Sequence, residues 1–385
     1  MSRSVSFFAV VLFLFTCLGS GVSLAIGIRI DHQDTDLTSL SLAMVARAKA
    51  DLHIAYGHTS HGSQVTEGMT AMNTFINGGG LGMSCPADTF RWNDGPMAGV
   101  LDLDDYFAPG DLGNPDYTTW AAHTRTYLDT PANADVNVVM WSWCGQADTT
   151  EANIDLYLGL MTQLEVDYPD VTFVYMTGHV NGCSTTGNLF LRNQQIRDFC
   201  EANDKVLYDF ADIESWDPDG DYYGDKLVLD DCSYDSDGNG SRDRNWAIDW
   251  QNSHTLGVDW FNCSCAHSQP LNGNRKAYAA WALWTSLAAA IDSLPGDASY
   301  DGRVDEADAA ILAEHWGQGD AAWADGDFNS DGLVNALDAA ILAANWGYNA
   351  TTEQSNPSTA VPEPGVLAMV ACLVLLAGGR WWRVA

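Results

Sequence analysis

The chain has 385 residues and carries 17 basic against 51 acidic side chains, which gives a formal net charge of −34. This balance argues against nucleic acids and anionic membrane surfaces as partners, because both repel negative charge. The length exceeds that of one typical domain and leaves room for a sizeable core and a small additional module.

Residues 1–25 have the pattern of a secretory signal peptide. Arg3 precedes an apolar run over residues 7–18, and Ser23-Leu24-Ala25 is a plausible cleavage site. Export favours disulfides, but removal of both ends leaves an odd number of cysteines and therefore at least one free thiol. The remaining cysteines are Cys85, Cys144, Cys183, Cys200, Cys232, Cys263 and Cys265.

Residues 26–294 alternate between short apolar runs and longer amphipathic stretches. The apolar runs predict buried strands at 52–57, 136–142, 171–177 and 205–210. The longer stretches predict helices at 64–75, 151–168, 188–202 and 272–293. Strands that alternate with helices of this length predict an α/β fold, a parallel sheet covered by helices on both faces.

Unusual polar residues cluster where the predicted strands end. Ser60 follows the first strand, Gln146 follows the second, and Asn181 follows the third. His267 stands just before the last predicted helix. Because chemistry in such sheets collects in loops at the carboxyl ends of strands, these segments are expected to line one pocket.

This order resembles the SGNH (GDSL-like) hydrolase superfamily over roughly residues 50–290. The resemblance implies a doubly wound, flavodoxin-like sheet and ester hydrolysis, with Ser60 as nucleophile and His267 as base. It also implies an oxyanion hole, a set of N–H donors that stabilises the charged intermediate. The residues that the resemblance points to for this hole are Gly113, Gln146 and Asn181.

The chain departs from the family at the residue that would orient the histidine. The family usually has an aspartate three residues before it, where this chain has Ser264. His267 could instead be oriented by a backbone carbonyl, by Asp259 or by an acid within residues 230–243.

Two other functions are compatible with the same residues. A zinc site could use several of four histidines with a nearby carboxylate. The second alternative is a carbohydrate-binding or matrix protein on a degenerate hydrolase scaffold. The four histidines are His58, His61, His179 and His267.

Two acidic loops near the C-terminus repeat at a spacing of 30 residues, from Asp297 and from Asp327. Each offers oxygen donors at the positions of a calcium loop, with glycine at position 6 and a main-chain carbonyl at position 7. The pattern predicts two calcium ions. The predicted ligands are Asp297, Ser299, Asp301, Arg303, Asp305 and Asp308 in the first loop, and Asp327, Asn329, Asp331, Leu333, Asn335 and Asp338 in the second.

The two copies also match beyond these ligands, through an Asp-Ala-Ala-Ile-Leu-Ala segment and a Trp-Gly pair. Residues 295–349 resemble the type I dockerin domain, an all-α pair of calcium loop–helix units on extracellular enzymes that act on polysaccharides. The resemblance implies a cohesin-like partner. At loop positions 10 and 11, where cohesin-binding dockerins often carry Ser-Thr, this chain has Glu306-Ala307 and Ala336-Leu337.

A polar linker over residues 350–361 leads to a tail at 362–385. The tail contains Pro362-Glu363-Pro364, an apolar stretch and the basic end Arg380-Trp-Trp-Arg383. It resembles the PEP-CTERM sorting signal of Gram-negative bacteria, which implies transient membrane insertion, recognition by an exosortase and removal of the tail. The sequence therefore predicts an exported carbohydrate esterase with a calcium-binding module, acting on a polysaccharide or glycan ester.

Overall fold

A computed structural model describes residues 27–291, 294–299, 303–319, 321, 323–329 and 332–348. The predicted signal peptide, linker and sorting tail lie outside the described residues, as do the predicted ligands Asp301 and Asp331. Among the residues described, no helix combines the length and the apolar character of a membrane span.

Seven strands form one parallel sheet. They are β1 (Arg29–Ile30), β2 (His53–Gly57), β3 (Trp92–Asn93), β4 (Leu101–Asp105), β5 (Val138–Trp141), β6 (Thr172–Met176) and β7 (Val206–Tyr208). Their order across the sheet is β1-β7-β6-β5-β2-β4-β3. A separate antiparallel pair consists of β8 (Ser233–Tyr234) and β9 (Arg244–Asn245).

Helices cover both faces of this sheet. The helices of this domain are α1 (Leu42–Asp51), α2 (Ser63–Asn77), α3 (Thr119–Leu128), α4 (Glu151–Asp167), α5 (Asn188–Ala202), α6 (Phe210–Ile213), α7 (Trp246–Ser253) and α8 (Pro270–Ile291). Helices α1, α2 and α8 share one core with the sheet, and α3, α4 and α5 share the other. Successive residues of a strand point to opposite faces, so Val138 packs in the first core and Val139 in the second.

The seven-stranded parallel sheet with its flanking helices confirms the predicted α/β fold. Its five central strands follow the order β4-β2-β5-β6-β7, which is that of flavodoxin-like doubly wound sheets. From β2 the chain adds β4 on one side and then returns to add β5 on the other side, so the strand order switches direction between β2 and β5. A crevice forms outside the carboxyl ends of the strands at such a switch point, and it is the usual ligand site of these folds.

The C-terminal repeats form two short helices, α9 (Glu306–Glu314) and α10 (Ala336–Ala344). Asp305 and Asn335 cap their N-termini, each accepting a hydrogen bond from a backbone N–H of the first turn. The two copies contribute equivalent residues to one small core, for example Leu312 and Leu342. The duplicated sequence therefore produces a duplicated structure, as the repeat predicts.

Candidate active site

The loop after β2 brings two candidate side chains to the switch point. It runs from His58 to Gly62 and carries Ser60 and His61 side by side. A Cβ atom on Gly62 would lie 2.2 Å from Ser142 Oγ and 2.3 Å from His58 Cβ. Only glycine therefore fits where this loop turns tightly into α2.

Ser60 and His267 meet although they are 207 positions apart. Nε2 of His267 lies 3.0 Å from Oγ of Ser60, within reach for proton transfer. His267 is exposed and has a left-handed backbone with φ of +66°. Such a conformation is costly for a residue with a side chain and is enriched at functional sites. The catalytic role of the pair stays a prediction.

No carboxylate among the described residues is hydrogen-bonded to His267. Asp259 instead accepts a hydrogen bond from the backbone N–H of Thr255 at 2.7 Å. Asp230, the first acid in the range considered for this role, contacts His61. The ring of His267 stacks on that of His61, with centroids 4.4 Å apart and planes inclined by 12°. Ring stacking and backbone conformation thus hold His267.

A second set of residues lies against Ser60, and sequence reasoning missed it as a unit. Nδ1 of His61 is 3.1 Å from Sγ of Cys144, and Nε2 of the same ring is 2.9 Å from Oδ2 of Asp230. Sγ of Cys144 is 3.6 Å from Oγ of Ser60. Only the position of Cys144 in the sequence could have pointed to this set, because Cys144 follows the carboxyl end of β5 in the same loop as Gln146.

The electrostatics of this second set differ from those of isolated side chains. Burial lowers the pKa of the His61 imidazole, but the hydrogen bonds to Asp230 and Cys144 outweigh it and raise the pKa to about 9. The hydrogen bond with His61 lowers the pKa of the Cys144 thiol to about 7, although partial burial opposes this. Burial raises the pKa of the Asp230 carboxyl, but the hydrogen bond with His61 and the nearby His179 and His61 charges together outweigh that effect and lower the pKa. Proximity to the imidazole thus favours the thiolate over the thiol.

Gly113 and Gln146, two of the predicted oxyanion-hole residues, lie together. Gly113 has φ of +84°, and a Cβ atom there would lie 2.7 Å from Cβ of Gln146. The segment is held beside Ser60, because Asp111 accepts a hydrogen bond from the hydroxyl of Thr59. The backbone N–H groups of Ser60 and Gly113 donate to no other described residue. Unengaged donors of this kind are what an oxyanion hole requires.

Asn181, the third predicted member, is engaged elsewhere. Its amide nitrogen donates to Asp148 at 3.0 Å, and its oxygen accepts from the backbone N–H of Cys183 at 3.1 Å. It lines a cavity of about 300 Å³ that Arg197 and Trp216 also border. No hydrogen bond joins its side chain to Ser60 among the described residues.

A buried ionic network holds the loops that carry the histidines. Nζ of Lys276 is 2.5 Å from Oε1 of Glu214 and also donates to the side-chain oxygen of Gln64. Glu214 accepts the backbone N–H of Val180 at 2.9 Å, and Gln64 donates to the backbone oxygen of Ala266. The residues after His179 and before His267 are therefore tied to one fully buried ion pair.

The four histidines considered for a metal site make different contacts. His58 is buried and bonded to Asp105 at 2.7 Å and to the backbone oxygen of Thr59 at 3.0 Å. Ligand atoms of His61, His179 and Asp230 do lie within 4.8 Å of one another. However, the rings of His61 and His179 stack with centroids 4.1 Å apart and planes inclined by only 5°. The lone pairs of stacked rings lie in separate parallel planes, which disfavours their convergence on one ion.

The calcium loops present buried oxygen donors. Asp308 accepts the backbone N–H groups of Ser299 and Asp305 at 2.9 and 2.8 Å. Asp338 occupies the same position in the second copy and accepts a hydrogen bond from the backbone N–H of Asn335 at 2.8 Å. All-oxygen donor sets with buried carboxylates suit a hard divalent cation, because burial of uncompensated negative charge is costly. The buried acids are Asp297, Asp308, Asp327 and Asp338.

Comparison with known proteins identifies this C-terminal module. Residues 295–345 match the family model of the Dockerin type I domain. Such domains bind calcium in their EF-hand-like repeats and bind cohesin partners, and the domain indicates an extracellular or cell-surface protein. No curated protein and no solved structure gives a significant match to the chain.

Proposed function

We propose that residues 26–294 are a secreted ester hydrolase in which Ser60 is the nucleophile and His267 the general base. The observation that carries this proposal is the 3.0 Å separation of Ser60 Oγ and His267 Nε2 at the switch point of a doubly wound sheet. A serine hydroxyl is a weak nucleophile until an imidazole in hydrogen-bond contact takes its proton.

The reaction has two halves. His267 takes the Ser60 proton as Oγ attacks the ester carbonyl, and then gives that proton to the departing alcohol. Water next attacks the acyl-serine with the help of His267 and releases the acid. The backbone N–H groups of Ser60 and Gly113, with the side-chain amide of Gln146, would stabilise the negative charge on the carbonyl oxygen.

The resemblance to SGNH hydrolases supports the same assignment, because Ser60, Gly113, Gln146 and His267 follow the family order. We assign the substrate class to ester groups on polysaccharides, such as acetyl groups, by analogy with other dockerin-bearing enzymes. The tail at residues 362–385 fits export from a Gram-negative-type cell, with an exosortase as its processing partner.

The test is hydrolysis of acetylated glycans and small chromogenic esters by wild type, Ser60→Ala and His267→Ala. We expect each substitution to lower kcat/KM by about a thousandfold or more, because nucleophile and base act as one unit. Ser253→Ala, which alters an exposed serine at the end of α7, is the matched control and should retain full activity.

Two other outcomes would replace this proposal. A transition-metal site around His61, His179 and Asp230 predicts loss of activity with 1,10-phenanthroline while calcium is kept in excess, so that the dockerin domain stays loaded. A non-catalytic scaffold predicts glycan binding by wild type without turnover of any ester.

A further inference from the structure

We propose that Cys144, His61 and Asp230 form a second nucleophilic centre in the same cleft, one that accepts acyl groups on sulfur. The arrangement contains the three parts that an activated nucleophile needs. His61 contacts the sulfur through Nδ1 at 3.1 Å and the orienting carboxylate of Asp230 through Nε2 at 2.9 Å. Of the two nucleophile–base pairs in the cleft, the Cys144–His61 pair is the one whose histidine contacts a carboxylate, that of Asp230.

The surroundings of His61 hold this geometry in place. The imidazole is buried and lies between the rings of His179 and His267, so it cannot swing away from the sulfur without disturbing both. A positive charge on His179 would repel one on His61, and the other charged groups that act on His61 are Glu214 and Asp111. Both are carboxyl groups, and in ionised form they stabilise an imidazolium.

Cys144 is open to reaction, unlike the structural thiols of this domain. It is half-buried and lies in the loop after β5, whereas Cys200 and Cys232 are buried. Burial raises the pKa of the Cys200 thiol to about 12, while the His61 contact lowers that of Cys144 to about 7. Between about pH 7 and 9 the Cys144–His61 pair is therefore mainly thiolate and imidazolium.

Ester hydrolysis through Cys144 needs no co-reactant other than water. Sγ of Cys144 bonds to the acyl carbon, the bond to the leaving oxygen breaks, and His61 gives its Nδ1 proton to that oxygen. The products are a thioester and an alcohol. Water then attacks the thioester and gives a proton to His61, and the C–S bond breaks to return the thiolate and release the acid.

Both nucleophiles reach the same carbonyl position, because Ser60 Oγ and Cys144 Sγ are only 3.6 Å apart. The second centre rests on the proposed function in one respect, that this cleft admits acyl substrates. We expect esters and thioesters to be its substrates, since a thiolate attacks both. Residual hydrolysis without Ser60 would then depend on Cys144.

The first experiment maps acylation in the full-length chain with p-nitrophenyl acetate and peptide mass spectrometry. In Ser60→Ala we expect an acetyl group on Cys144 that hydroxylamine removes at neutral pH, as it does thioesters. Residual hydrolysis should be at least about tenfold lower in Ser60→Ala/Cys144→Ser than in Ser60→Ala. Acetylation of Ser60 in wild type, with none on Cys144 in Ser60→Ala, would overturn the second centre and leave the serine mechanism intact.

The second experiment measures iodoacetamide alkylation of Cys144 against pH, which needs no substrate turnover. We expect a midpoint near pH 7 in wild type, moving towards the ordinary thiol value of about 8.5 in His61→Gln and Asp230→Asn. Cys183→Ser, which removes another half-buried loop thiol, should leave the profile unchanged. An identical profile in wild type and His61→Gln would contradict the proposed pairing.

Discussion

The calcium loops and the cleft of the α/β domain draw their candidate functional residues from very different stretches of chain. Each calcium loop takes its ligands from about a dozen consecutive residues. The cleft brings Ser60 to His267 across 207 positions and His61 to Asp230 across 169. The calcium module is thus organised by local sequence and bound ions, whereas the cleft is organised by the sheet and its buried contacts. Removal of calcium should therefore affect one region and leave the other unchanged.

Calcium removal should produce the largest effect, confined to the dockerin domain. At free calcium a thousandfold above Kd, each site stabilises the folded state by about 4 kcal/mol, so loss of both costs about 8 kcal/mol. The buried acids then repel one another without a compensating cation. Differential scanning calorimetry with EDTA should show the module's transition lost, while that of residues 26–294 and the rate of ester hydrolysis stay unchanged.

Isothermal titration calorimetry is the matching control, because it counts the calcium ions that the protein binds. Asp338→Asn should remove the second site and spare the first. The acidic turn at residues 235–243 should add no third ion, because position 12 of a calcium loop that starts at Asp235 is Trp246, which offers no oxygen ligand. A third ion, or lower hydrolysis after chelation, would contradict the separation of the two regions.

Replacement of Lys276 by methionine should produce the next largest effect, this time in the cleft domain. It leaves the buried Glu214 carboxylate without its cation, and breaking one partner of a buried pair costs about 3–5 kcal/mol. Urea unfolding should show this loss, with calcium binding unchanged. Glu214→Gln added to Lys276→Met should recover part of the stability, because the buried charge is then gone.

Lys205→Met is the matched control for that substitution. Lys205 and Glu165 are also 2.5 Å apart, but both side chains are about one-fifth exposed. Solvent screens such a pair, so we expect a loss of less than about 1 kcal/mol. Equal destabilisation by the two lysine substitutions would show that burial of the Lys276 network does not govern the stability of the cleft domain.

The same contrast between local and distant information explains what the sequence could predict. The β2 and α5 segments are recognisable because an apolar run or an amphipathic period defines each of them locally. Strand β4 was missed because three of its five residues, Asp102, Asp104 and Asp105, are acidic. These acids find partners in the fold, with Asp102 bonded to His53 at 2.9 Å and Asp105 to His58 at 2.7 Å.

The candidate site divides in the same way. Ser60 and His267 could be proposed from the order of loops after strands. The contacts among His61, Cys144 and Asp230 could not, because no spacing in the chain relates three residues that meet only when β2, β5 and the segment before β8 pack together. Of the groups considered for orienting His267, Asp259 bonds to the Thr255 N–H and Asp230 contacts His61 instead.

Gly113→Ala should produce a smaller effect than Lys276→Met, and it separates stability from catalysis within the cleft. Its φ of +84° makes any side chain costly by about 1–2 kcal/mol, and the new Cβ would press on Gln146. Gly99 has φ of +72° with nothing within 4 Å, so Gly99→Ala carries the backbone cost alone. Gly113→Ala should lose more stability than Gly99→Ala, because the contact with Gln146 adds to the backbone cost that both share. Only Gly113→Ala should lower kcat with KM little changed, because it moves a proposed oxyanion donor. Equal kcat values in the two variants would place the Gly113 N–H outside the reaction and leave Ser60 and Gln146 to stabilise the developing charge.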